Sequence, residues 1–266
     1  EVLAHFEDPP FFDISPKYSV VYHRFLHSDL AGRPAIRGQL EGPISFGLNI
    51  HDQNNRPILF DDTVRPFMLD FMARRVNVQL TRLREINPNA FMFVDEPGLQ
   101  FIFSGMSGYN NLLARDDMNA FFAQIERPRG VHLCGNPDWD FLLGLDLDVL
   151  SLDMYTNGER FVSYAGSIRK FLDRGGILIW GMVPTNYEPF EKEAVESLES
   201  RLVELWQSLD RKGIDLGYLL SRSLLSPATC CLVNPDGTTT VERAFAVTRE
   251  LSKRLRERFR LDETSA

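Results

Sequence analysis

Residues 130–153 read GVHLCGNPDWDFLLGLDLDVLSLD, and the reading of this stretch decides the fold. Two short, largely apolar runs, Gly130–Leu133 and Asp148–Leu152, bracket a brief helix at Pro137–Leu143. Neither run alternates between apolar and polar residues, which marks strands covered on both faces. Both end in polar side chains: His132 and Cys134 close the first, Asp153 the second. Strand, helix and strand in this order form a βαβ unit, the building block of parallel sheets.

The alternation continues in both directions. Upstream, a strand is expected at Ala35–Leu40, ending at Gly42-Pro43. A helix runs from a cap at Asp61 or Asp62 to about Ile86, with Val64, Met68, Phe71, Met72, Val76 and Leu80 on one face. Asn87-Pro88 stops it. The apolar strand Ala90–Val94 leads into Asp95-Glu96-Pro97, and a helix follows at Asp116–Ile125. Downstream come a helix over Gly158–Leu172, a strand at Ile177–Trp180, a long helix over Pro189–Arg211, a strand at Gly217–Leu220 and a last helix over Thr239–Phe259. Residues 1–33 are irregular, broken by Pro9, Pro10 and Pro16, with one short strand expected at Tyr18–Tyr22. The expected organisation is therefore an N-terminal segment, 1–33, and an α/β unit, 34–266.

About six strands are read, whereas a TIM-type (β/α)8 barrel needs eight. The chain opens on Glu1 rather than Met, so the first strand or strands are expected upstream or within residues 1–33. An open doubly wound sheet is the alternative. Asp95, His132, Cys134 and Asp153 all fall at C-terminal strand ends. A barrel brings such ends to one mouth, while an open sheet spreads them along an edge, so shared chemistry favours the barrel.

The 266 residues are 44% hydrophobic and 25% charged, which suits one large core or two small ones. A net charge of −8 disfavours a nucleic-acid groove. No apolar run is long enough to span a bilayer, and no signal-peptide pattern stands at the start. The three cysteines, Cys134, Cys230 and Cys231, make an odd count that argues against a disulfide framework. A cytoplasmic protein with reduced thiols is expected.

His132 and Cys134 are two residues apart on a strand, so their side chains point to the same side. Imidazole and thiolate suit zinc, but two ligands do not hold it. The remaining cysteines, Cys230 and Cys231, follow Ser226-Pro227-Ala228-Thr229 near the last strand. In a closed barrel that strand returns to the same mouth. Asp153 fits either as a further ligand or hydrogen-bond partner of the site, or as the cap of the helix that follows. Asp95 and Glu96 end an apolar strand, where a carboxylate must be hydrated or paired, and read as a cation or ammonium site. Trp139, Trp180 and Phe101–Phe103 read as core or pocket wall.

Taken in order, Gly42-Pro43, Val94-Asp95-Glu96-Pro97, His132-Leu133-Cys134-Gly135, Asp148–Asp153 and Pro227-Ala228-Thr229-Cys230 resemble the catalytic domain of cobalamin-independent methionine synthase. They are similar also to the zinc methyltransferases that move methyl groups from corrinoid proteins to thiols. Both groups share the TIM-barrel superfamily of uroporphyrinogen decarboxylase. The likeness runs from about residue 17 to the C-terminus.

The resemblance implies zinc held by His132, Cys134 and Cys230. Cys231 stands where the family has glycine, and Asp153 where methionine synthases have a ligating glutamate. It also implies an amino group held by Asp95; beside it, Glu96 and Trp139 are expected to bind substrate, and Asp95 and Asp153 to be catalytic. The long folate-binding domain and the family's first barrel strand have no counterpart here, so a methylated corrinoid, free or protein-bound, is the expected donor and a small thiol such as homocysteine the acceptor. The rival expectations are a metal-free, decarboxylase-type barrel enzyme and a non-catalytic binding module on the same fold.

Overall fold

The computed structural model describes residues 2–102, 109–230 and 233–261. The fold is α/β, with six parallel strands alternating with helices. The elements are α1 (Val20–Leu26), β1 (Arg37–Glu41), α2 (Pro43–Asn49), α3 (Val64–Arg84), β2 (Phe91–Asp95), α4 (Asn111–Ala123), β3 (Arg129–Leu133), α5 (Trp139–Leu143), β4 (Val149–Asp153), α6 (Met154–Phe161), α7 (Ala165–Asp173), β5 (Ile177–Val183), α8 (Tyr187–Phe190), α9 (Val195–Arg211), α10 (Leu216–Ser221), β6 (Ser223–Pro227) and α11 (Thr239–Phe259). They fall into two compact units, Glu1–His132 with Leu145–Asp148, and Leu133–Gly144 with Val149–Ala266. No helix of the described residues is long and apolar enough to cross a membrane.

In the first unit β2 pairs in parallel with β1 and with β3. The register sets Glu41 opposite Asp95, and Asp95 opposite His132. Helix α3 covers β1 and β2, with Met68, Met72, Val76, Leu80 and Leu83 recurring at helical spacing and all buried. Its first turn is fixed by Asp61, whose carboxylate accepts from the Thr63 and Val64 amides at 2.8 and 3.0 Å.

In the second unit β5 pairs in parallel with β4 and β6. Its core is a file of edge-on aromatic rings: Trp139 on Phe161, Phe161 on Trp180 and Trp180 on Trp206, with centroids 5.3, 6.0 and 5.9 Å apart. Gly181 sits where β4, β5 and β6 end together. A Cβ there would meet the Leu152 carbonyl at 2.5 Å and the Ala228 Cα at 2.9 Å, so only glycine lets these strands close up.

Several boundaries differ from the sequence expectation. Tyr18–Tyr22, expected as a strand, runs into α1, which Ser19 caps by accepting from the Tyr22 amide. The strand expected at Gly217–Leu220 is helix α10, capped by Asp215 through the Tyr218 amide at 2.7 Å. The strand lies just beyond it, at Ser223–Pro227, where serines and partial exposure hide the apolar signal. Helix α4 begins at Asn111, ahead of the expected Asp116, because Asn110 caps it through the Leu113 amide. The single helices expected at Gly158–Leu172 and Pro189–Arg211 are each divided, the second by a fresh start at Val195.

Candidate metal centre

Strand β3 delivers His132 and, one residue beyond its end, Cys134. The extended backbone turns both side chains the same way across Leu133, as their spacing demands. The third residue, Cys230, lies in the loop after β6. One ligand atom from each of His132, Cys134 and Cys230 lies within 4.8 Å of the others. Among the described residues this is the group of histidine, cysteine and acidic side chains close enough to share a cation. His132 and Cys134 are half-buried and Cys230 is exposed, so the centre has access to solvent. Cys231, the other cysteine of the adjacent pair, lies outside the described residues.

The thiols of Cys134 and Cys230 hydrogen-bond one another. That bond, then burial, then the charge of a Cys230 thiolate push the Cys134 thiol well above its ordinary value, and Asp153 adds to the rise. Two soft donors pressed together in this way resist losing both protons unless a cation compensates. The donor set fits zinc: His132, Cys134 and Cys230 would hold it through two sulfurs and an imidazole nitrogen, and three protein ligands would leave room for one from a substrate.

The loop carrying Cys230 is pinned to the end of β5. The Ala228 amide donates to the Val183 carbonyl at 2.8 Å. Thr185, buried just past β5, donates its hydroxyl to the Cys230 carbonyl at 2.8 Å and lies 2.7 Å from the Thr229 hydroxyl. Asn234 closes the far side, donating to the Thr185 carbonyl and accepting from the Tyr187 amide, each at 2.9 Å. Neither Thr185 nor Asn234 is among the site residues expected from the sequence. Thr185 obeys the rule that singled out Asp95 and Asp153, a polar residue following an apolar strand, and that signal was available.

The other expected site residues fall in varied places. Asp95, half-buried, stands beside His132 in register and accepts from the Gln39 amide. Glu41, on the neighbouring strand end, was not anticipated; it is exposed and accepts from Asn49 at 3.2 Å. Glu96, expected as an open acid against the substrate, is 0% exposed. One of its oxygens accepts from the Ile44 amide at 2.9 Å, the other from the Ser45 amide at 2.9 Å and the Ser45 hydroxyl at 2.7 Å. It braces the start of α2, and its carboxylate occupies the space that a Cβ on Gly42 would need.

Burial pushes the Glu96 carboxyl up to about 7 despite these donors. Asp153, 4% exposed, caps α6 through the Thr156 amide at 2.9 Å, and it is not part of the three-residue cluster. Trp139, expected beside the substrate, is fully buried in the aromatic file. Of the expected Phe101–Phe103 wall, Phe101 is exposed, Ile102 is buried, and Phe103 lies outside the described residues. No protein-family model and no curated protein matches the chain.

Proposed function

We propose that the chain is a zinc-dependent methyltransferase of the methionine-synthase type, taking a methyl group from a methylated corrinoid to a small thiol. The observation that carries this reading is the meeting of His132, Cys134 and Cys230 within 4.8 Å. Zinc, when bound there, supplies a lowered pKa to a coordinated thiol, so that the acceptor sulfur is a thiolate at neutral pH.

The chain's own residues supply the rest. Leu133 holds His132 and Cys134 at the spacing that aims both at one point, and the pinned loop presents Cys230. Asp95, in register with His132, offers a negative charge to the ammonium group of an amino-thiol. Homocysteine is therefore the first candidate acceptor, and a sulfonate-bearing thiol is disfavoured by Asp95 and Glu41. In the transfer the sulfur releases its proton to solvent and forms the bond to the methyl carbon, while the cobalt of the corrinoid keeps the electron pair of the bond that breaks.

We place the six strands in a TIM-type barrel, whose strand C-termini carry the chemistry, and the reduced thiols in the cytoplasm. A corrinoid protein is the expected partner. The test is an assay with methylcobalamin, zinc and a series of thiols. Methionine is expected from homocysteine, with kcat/KM lowered about 10-fold or more by Asp95→Ala, the loss of one charge-assisted contact. Absence of transfer to any thiol would contradict the proposal.

A further inference from the structure

Thr185 is almost completely buried, 1% exposed, yet carries a hydroxyl. A buried hydroxyl is costly unless both its proton and its lone pairs are used. Here its proton goes to the Cys230 carbonyl, which leaves the Thr229 hydroxyl to donate to Thr185. The Thr185 carbonyl is taken by Asn234, whose own oxygen holds the Tyr187 amide. The peptide that bears Cys230 is thus clamped through one side chain, from a strand end that contributes no donor atom to the cluster.

We infer that Thr185 is a positioning residue that sets the Cys230 thiol against Cys134, and so controls the affinity and geometry of the metal centre. As a statement about metal it rests on the function proposed above. As a statement about the two thiols it stands alone. Hydrogen bonds behind a ligand typically change metal affinity by about 10–100-fold when removed. Valine matches threonine in shape and removes only the hydroxyl, while serine restores it.

The experiment titrates the full chain with cobalt(II) and follows thiolate-to-cobalt absorption, comparing wild type with Thr185→Val, Thr185→Ser and Cys230→Ser. Thr185→Val is expected to weaken binding about 10-fold or more and alter the absorption, with Thr185→Ser close to wild type. A metal-free arm measures the equilibrium of the Cys134–Cys230 pair with oxidised and reduced glutathione in a Cys231→Ser background, where Thr185→Val should disfavour the disulfide about 10-fold, one such restraint being worth roughly 1.4 kcal/mol. If Thr185→Val does not fold, Thr229→Val at the half-exposed partner is expected to give a smaller loss in both arms. If wild type binds cobalt no better than Cys230→Ser, the proposed function falls, and the glutathione arm still decides the role of Thr185. Unchanged thiol equilibrium and unchanged cobalt binding in a folded Thr185→Val protein would overturn the inference.

Discussion

Glu96 is the residue where geometry and burial pull hardest against each other. Three donors favour its carboxylate, yet complete burial raises it from 4.5 to about 7. A pKa higher in the folded than in the unfolded chain means that folding binds the proton. The resulting stability is present below the unfolded value and is lost as pH rises through the folded one. Asp52, Asp61, Asp146 and Glu199 are held lower than usual and contribute the opposite slope. The measurement is therefore a difference: between about pH 5 and pH 8, the melting temperature of wild type should fall relative to that of Glu96→Gln. Parallel curves would show that Glu96 does not titrate in this window. The sequence could mark Glu96 as an acid ending an apolar strand but not name its partners, which lie 51 and 52 residues upstream. His132 and Cys134 were legible because their alignment needs only the period of a strand.

At the scale of elements, periodicity located the long helices and the buried strands, and capping decided what it could not. Asp153 shows the limit: the same carboxylate suits a ligand or a cap, and only its 2.9 Å bond from the Thr156 amide reveals the cap. Asp153→Ala should cost about 1 kcal/mol of stability and Asp153→Asn much less, in chemical denaturation. An equal cost for both would locate its role in charge rather than capping. Strand β6 was misplaced because its exposed and half-exposed residues lack the continuous apolar character of β4 and β5. The crowding at Gly181 was invisible for another reason, since it depends on three strands ending at one level. Gly181→Ala should destabilise by about 1–3 kcal/mol, because backbone rather than a flexible side chain must yield. A neutral Gly181→Ala would mean that the strand ends are looser than described.

For the whole molecule, the alternation of strands and helices was legible except at Tyr18–Tyr22 and around the last strand, since parallel strands require long crossovers. A common target for the side chains at the strand ends was not, because no local pattern relates residue 134 to residue 230. The resemblance to zinc methyltransferases offers that link as an expectation; the structure itself shows one ligand atom from each of His132, Cys134 and Cys230 within 4.8 Å of the others. The net charge of −8 disfavours a surface that grips nucleic acid. The central claim is a zinc centre built by these residues, and zinc stoichiometry by elemental analysis tests it most directly. The account predicts about one zinc per chain in wild type and Cys231→Ser, and almost none in Cys230→Ser, because zinc needs its third protein ligand. Wild type free of zinc after purification and zinc addition, or Cys230→Ser retaining a full equivalent, would contradict it.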